Sequence, residues 1–297
     1  MEKLLLIINP VAGKNKQKNF INEVSGALSG DKYEVCTCIT KARGDAEKLA
    51  ADAEENGFAC VVCCGGDGTL NETLSGLLSS GSEIKLGYIP CGSTNDFAKT
   101  LGLKTDPMEA AKAILNSREE KVFDAGSFGE NRYFSYIASF GAFTSTSYSV
   151  PQNMKNKIGH LAYILQGIKD FFKIRAVNAS ICDDTGTVRT GKYLFGSVSN
   201  TSSVAGIVRL KEADIDLCDG RFEVILVKKP QNVFQFFGII NSVITSHFPS
   251  NMVEFFKASE ITFRFDEEIN WSLDGECANG ANEVKIKNIN KGIRLLR

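Results

Sequence analysis

The chain of 297 residues is long enough for about two domains of roughly 150 residues each. Its 34 Lys and Arg nearly cancel its 35 Asp and Glu, a net charge of −1; that argues against nucleic-acid binding, which rests on a strong positive field. Apolar residues at 43% and charged residues at 23% exclude wholesale disorder.

Segments taken in chain order divide into two styles. Residues 3–8 form a short apolar strand, and 16–28 carry helical apolar spacing. A strand is predicted at 33–39, and at 45–55 an alanine-rich helix with Asp45 as its cap. Then come a buried strand at 58–64, a helix at 70–78, a strand at 84–89, helices at 95–101 and 107–115, and a strand at 121–125. Strands separated by helices imply an α/β domain with a parallel sheet, whose ligands sit beyond the carboxyl ends of the strands. After about residue 128 strands dominate, at 133–139, 176–183, 192–199, 222–227, 260–265, 269–273 and 282–286, with long helices only at 158–174 and 233–246. This half reads as a β-rich antiparallel sandwich or barrel. The expected division is 1–127 and 128–291, with the segment 292–297 packing back on the first domain.

No apolar run approaches the roughly 20 residues of a membrane span. The five apolar residues before Asn9-Pro10 are too few for a signal peptide. A soluble, cytoplasmic protein is expected. The nine cysteines are odd in number, and Cys60, Cys63 and Cys64 lie in a buried strand. They read as free thiols serving as small core residues rather than a disulfide framework.

The strongest chemical signal is Gly65-Gly66-Asp67-Gly68-Thr69-Leu70-Asn71-Glu72, placed between a buried strand and a helix. Glycines let the backbone turn sharply and approach a ligand, and amides at a helix N-terminus suit phosphate. A carboxylate inside such a loop fits phosphate only with a cation between them, so Asp67 points to a metal–nucleotide site. Asn9-Pro10-Val11-Ala12-Gly13-Lys14 ends the first strand, and Pro90-Cys91-Gly92-Ser93-Thr94-Asn95-Asp96-Phe97 follows the strand at 84–89. Three loops from three parallel strands would converge on one crevice. Neither a Walker loop nor the protein-kinase motif set is present.

Together these loops resemble the diacylglycerol kinase catalytic domain family, the bacterial lipid kinases related to sphingosine and ceramide kinases. GGDGT alone is shared with NAD kinases and phosphofructokinases; GGDGTLNE with P-x-G-[ST]-x-N-D-F is specific in combination. The resemblance extends over nearly the whole chain, through KNKIGHLAYILQG at 155–167, LCDGRFEVILV at 217–227 and LDGE at 273–276. Ala12, Ala205, Ala213 and Cys218 depart from the family pattern.

The resemblance implies roles. Asn9, Pro10, Val11, Ala12, Gly13, Thr40, Gly66, Asp67, Gly68, Thr69, Leu70, Asn71, Glu72 and Ser93 would line ATP. Asp67, Asp96 and Asp124 would form a water-linked set around a catalytic Mg²⁺. A structural Mg²⁺ would be held by the Asp219 side chain and the carbonyls of Asp216 and Arg221. Glu276 would act as the base, supported by Asp274. Asp-Gly is also a strong hairpin signal, and a rigid hairpin is a good platform for a base.

The function implied is phosphoryl transfer from ATP to a lipid hydroxyl, diacylglycerol first, with the active site between the domains. The alternatives are another lipid alcohol, then NAD, then a nucleotide-dependent membrane-binding regulator without turnover. A membrane-dissolved substrate requires peripheral membrane contact. The helices at 158–175 and 233–248 mix phenylalanines with lysines, which suits an interface, although the same stripes suit a core. A homodimer is left open.

Overall fold

A computed structural model describes residues 1–13, 19–93, 95–141, 175–200, 203–204, 208–209, 216–245 and 251–296. The helix expected at 158–174 lies outside these residues. The chain divides into two compact units. Unit 1 is Met1–Tyr136 with Asp216–Arg221 and Lys287–Arg297; unit 2 is Ile137–Ile215 with Phe222–Ile286.

Unit 1 runs β1 (Glu2–Ile8), α1 (Phe20–Leu28), β2 (Tyr33–Ile39), α2 (Asp45–Ala51), β3 (Cys60–Gly65), α3 (Asp67–Ser79), β4 (Lys85–Pro90), α4 (Asp96–Thr100), α5 (Pro107–Asn116), β5 (Glu120–Phe128) and β6 (Arg132–Phe134). Strand β17 (Glu283–Leu296) closes the chain and brings its end beside β4 in parallel, with Leu295 opposite Leu86. The order is β17-β4-β3-β1-β2. β1 lies between β2 and β3 and is parallel to both. Its alternation decides the layers. Leu4, Leu6 and Ile8 pack with Phe20, Val24, Ala110 and Ile114, from α1 and α5. Leu5 and Ile7 pack with Ala46, Ala50, Leu70 and Leu74, from α2 and α3. The chain therefore leaves β1 toward one face and β3 toward the other. Where adjacent loops diverge in this way, an open parallel sheet has its crevice.

The cysteines belong to these layers. Cys60, Cys63, Cys64 and Cys91 are buried thiols outside any disulfide, and Cys64 Sγ lies 3.4 Å from Cys91 Sγ. Burial pushes the Cys60 and Cys63 thiols up to about 12.

Unit 2 contains β7 (Ile137–Gly141), β8 (Val177–Asp183), β9 (Val188–Ser199), β10 (Ser203–Val204), β11 (Val208–Arg209), β12 (Phe222–Lys228), α6 (Val233–Thr245), β13 (Val253–Ala258), β14 (Glu260–Phe265), β15 (Trp271–Leu273) and β16 (Glu276–Ala278). β7, β8, β12 and β14 pair antiparallel with their neighbours, as does β15 with β7 and β16. Phe140 and Trp271 pack with ring centres 4.9 Å apart, and Phe263 meets Trp271 edge-on at 5.0 Å. Such aromatic contacts fix a β-sheet core.

Several boundaries differ from the sequence reading. The strand expected at 133–139 is two strands, β6 and β7, and the units divide between Tyr136 and Ile137 rather than at 127. The reason is the β5–β6 hairpin: Gly126 faces Phe134, and a Cβ there would lie 2.1 Å from the ring. That contact keeps residues through β6 with unit 1. The loop 216–221 and everything from 287, not merely from 292, also belong to unit 1. β13 and β16 were not anticipated.

Candidate active site

Three loops meet at the carboxyl ends of β1, β3 and β4. Asn9 begins the first; its Oδ1 accepts from Val11 N–H at 3.1 Å, and its Nδ2 donates to Thr69 Oγ1 at 2.9 Å. One side chain thus shapes its own turn and ties it to α3. Gly13 has φ +43, and a Cβ there would lie 1.9 Å from the Cys91 carbonyl oxygen. A Cβ on Gly92 would lie 2.7 Å from Gly66 Cα. The loops therefore touch backbone to backbone, which only glycine permits.

Asn95 holds the third loop. It adopts φ +49, with Oδ1 accepting from Gly92 N–H and Nδ2 donating to Gly92 C=O, each at 2.9 Å. Asparagine tolerates this left-handed geometry better than most side chains. The sequence reading placed Asn95 in a motif and gave it no role. The loop after β2 is closed similarly: the Asp45 carboxylate accepts from the N–H groups of Lys41 and Ala42 at 2.7 and 2.8 Å, which lowers its pKa. Asp45 was expected to cap α2; the cap is Gly44, at φ +85. Thr40 is buried beside Ile8 and donates from Oγ1 to its carbonyl at 3.4 Å.

The motif from Gly66 to Glu72 is mostly helix rather than loop. α3 begins at Asp67, with Gly66 as an N-cap that offers no side chain. The first-turn amides have no partner within the helix, and the dipole there favours anions. Helical rotation separates the motif's side chains. Asp67 and Gly68 are half-buried; Thr69 is engaged with Asn9; Leu70 is 1% exposed and belongs to the core. Asn71 donates to Tyr133 C=O at 3.2 Å, supporting β6. Leu70 thus departs from the expectation of a nucleotide-lining run, because its side chain faces the sheet. Val11 and Ser93 are exposed, Ala12 is half-buried, and Pro10 lies in the same turn.

Asp67 Oδ1 accepts from Phe97 N–H at 3.5 Å, and the side chain of Asp96 lies outside the described residues. Asp124 is fully buried, and its two oxygens accept from Gly220 N–H and Lys291 N–H, both at 2.7 Å, and from Asn288 and Asn290 Nδ2, both at 3.2 Å. A carboxylate offers about four acceptor sites, so Asp124 is saturated. It acts as a latch that fastens 216–221 and 288–291 to β5. Among the described residues no group of three His, Cys, Asp or Glu side chains could hold a metal. Among the described residues, the side chains fit a single carboxylate contact at Asp67. In 216–221, Asp219 is exposed and accepts from Arg221 N–H at 2.9 Å, while Asp216 accepts from Cys218 N–H at 3.1 Å.

Unit 2 presents the acidic hairpin. Asp274 and Gly275 link β15 to β16 with φ +50 and +88, and Leu273 pairs with Glu276. Positive φ at both central residues marks the type I′ turn that Asp-Gly favours. Asp274 is 5% exposed; its Oδ1 accepts from Ile137 N–H at 3.1 Å and its N–H donates to Ile137 C=O at 2.9 Å. Glu276 is exposed. One carboxylate is fixed and the next is accessible.

Comparison with known proteins gives the family and the fold. Residues 3–127 match the family model for the diacylglycerol kinase catalytic domain. A diacylglycerol kinase of Bacillus subtilis is 32% identical over 278 residues, covering 93% of this chain and 90% of that one. A crystal structure of a diacylglycerol kinase from Bacillus anthracis superimposes with TM-score 0.70 at 23% identity, over 99% of this chain and 96% of that one. An NAD kinase from Archaeoglobus fulgidus, solved in complex with ATP, shares the fold at TM-score 0.57 and 14% identity, over 100% of this chain and 94% of that one. With so similar a relative matched along nearly its whole length, this chain belongs to the diacylglycerol kinase family.

Proposed function

We propose that this lipid kinase transfers the γ-phosphate of ATP to the free hydroxyl of diacylglycerol. The observation that carries the reading is the backbone convergence of the three loops at the N-terminus of α3, where Gly13 and Gly92 leave no room for a Cβ and Gly66 only a tight one. Phosphoryl transfer asks little covalent chemistry of the protein; it asks for positioning and for neutralisation of phosphate charge. Backbone amides and the helix dipole supply part of that. Mg²⁺ carried by the nucleotide would supply the rest, with Asp67 as the carboxylate that meets it.

The acceptor hydroxyl must lose a proton. Glu276, exposed on a hairpin anchored by Asp274, is assigned that task. Asp219, with the carbonyls of Asp216 and Arg221, is assigned a structural Mg²⁺. Thermal melting with and without EDTA, repeated on Asp219→Ala, reads that assignment separately from activity; a melting point indifferent to EDTA would remove it.

The direct test is transfer of labelled phosphate from Mg·ATP to diacylglycerol, sphingosine, ceramide and undecaprenol in mixed micelles, with NAD as a soluble control. Label in phosphatidate is the expected result. Label in a different lipid keeps the kinase and replaces the substrate, and label in NAD overturns the reading.

A further inference from the structure

Phosphoryl transfer makes no use of one surface of unit 2. α6 carries no charged residue in its sequence VFQFFGIINSVIT. Among its described side chains Phe236, Ile239 and Ser242 are buried, whereas Phe234 is 88%, Phe237 52% and Val233 46% exposed. A phenylalanine that protrudes this far, with two apolar neighbours, is a patch rather than a scattered exposed side chain.

The exposure is held in place. Asn232 caps the helix, its Oδ1 accepting from Gln235 N–H at 2.9 Å, and Gln235 Oε1 accepts in turn from Gln231 N–H at 2.7 Å. The first helical bond, from Phe236 N–H to Asn232 C=O, is 3.2 Å long. The turn bearing Val233 and Phe234 is therefore pinned on both sides of the cap.

Beside it opens a pocket of about 490 Å³ lined by Lys192, Lys228, Lys229 and Gln235 among others. Lys229 N–H donates to Lys192 C=O at 2.9 Å, so the two lysines flank one junction of β9 and β12. Lys228 is paired with Glu254 at 2.6 Å. Lys192 and Lys229 form no ion pair among the described residues. Two lysines without an ion pair among the described residues thus adjoin a projecting aromatic turn, on a chain whose net charge is only −1.

We propose that the first turn of α6, with the Lys192–Lys229 pocket, is the surface that docks this protein on an anionic phospholipid bilayer. Lysines answer the negative headgroups, and apolar rings enter the boundary between headgroup and acyl chain. Charge complementarity selects this occupant, and a protruding ring needs no matching wall in a fluid interface. The proposal deepens the lipid-kinase reading, which places the substrate in a bilayer, but its test requires no turnover.

The full chain is sedimented with vesicles of phosphatidylglycerol and phosphatidylcholine, and with phosphatidylcholine vesicles alone. Phe234→Glu/Phe237→Glu and Lys192→Ala/Lys229→Ala are compared with the parent after circular dichroism shows each folded. The parent is expected to bind anionic vesicles and to lose binding at high salt. Each double variant is expected to bind about tenfold or more weakly. Phosphorylation of vesicle-held diacylglycerol should fall with it, while phosphorylation of a dispersed short-chain diacylglycerol stays unchanged. Undiminished vesicle binding by both folded variants, or no anionic binding by the parent, overturns the surface. A parent dimer abolished by Phe234→Glu/Phe237→Glu, without vesicle binding, overturns it in favour of a second copy. Absence of kinase activity with the binding pattern intact would instead sink the catalytic reading alone.

Discussion

The two regions that carry acidic residues are built differently. In unit 1, Asp67 opens a helix at a point where three loops touch through their backbones, and Asn9, Asp45 and Asn95 each spend a side chain holding a turn. In unit 2, Glu276 stands exposed at the end of a two-residue turn, and its placement rests on the bonds between Asp274 and Ile137. The contrast follows from the tasks assigned to them. A phosphate cradle works only if many weak donors are fixed before the ligand arrives. A proton acceptor needs one oxygen that a substrate can reach.

This contrast can be broken experimentally. The largest effect is expected from Glu276→Gln, with kcat falling by about 10²–10⁴ and the melting point nearly unchanged, because the side chain is exposed. A near-normal kcat would remove Glu276 from the chemistry and leave the hairpin a purely structural turn.

Asp124→Ala comes next. It strips the acceptor from four buried or partly buried donors, and a loss of about 3–5 kcal/mol in urea unfolding is expected. Proteolysis should then open 216–221 early. Stability within about 1 kcal/mol of the parent would mean that the latch is dispensable.

Gly13→Ala and Gly57→Ala sharpen the argument about touching backbones. Both glycines have positive φ, but a Cβ on Gly57 meets nothing within 4 Å, whereas one on Gly13 meets Cys91 O at 1.9 Å. Gly57→Ala should cost about 1 kcal/mol, from conformation alone. Gly13→Ala should cost about 2 kcal/mol more and weaken nucleotide binding, measured by titration calorimetry. Equal costs would mean that the loops do not need their close approach.

The smallest effect is a pH dependence in unit 2. Burial raises the Asp183 pKa, but bonds from the Thr185 hydroxyl, the Arg189 guanidinium and the Thr187 and Thr185 amides outweigh it and lower the value to about 2. A depressed folded pKa contributes stability above the unfolded value, which is lost as pH falls through the folded one. Stability should therefore drop by about 1–2 kcal/mol between about pH 4 and pH 2, and Arg189→Met should shrink that drop. An unchanged acid limb in the variant would show that the Arg189–Asp183 pair is not its source.

Much of unit 1 was legible because its chemistry is local. The apolar run at 3–8 reads as a strand and 107–115 as a helix; in the fold that helix begins at Pro107 behind Asp106, which accepts from Met108 and Glu109 N–H. The glycines and Asn9 announced tight loops because few other residues fit them. Asp274-Gly275 announced its own hairpin for the same reason. What local spacing could not give was direction. That Leu70 turns to the core while Asp67 stays at the crevice depends on where α3 begins, one residue after Gly66. β13 and β16 were missed because VEFFKA and ECA do not alternate apolar and polar residues cleanly.

The sequence by itself determined the alternation of strands and helices, the glycine-bound loops and the identity of the acids, since backbone conformation and short-range periodicity depend on neighbouring residues. Only the tertiary structure decided that Asp124 is a saturated latch, because its donors come from residues 96 and 164–167 positions away along the chain. It also decided that Phe234 faces solvent while Phe236 does not. Both outcomes depend on which distant segments arrive beside a residue, a quantity set by the packing of the whole chain.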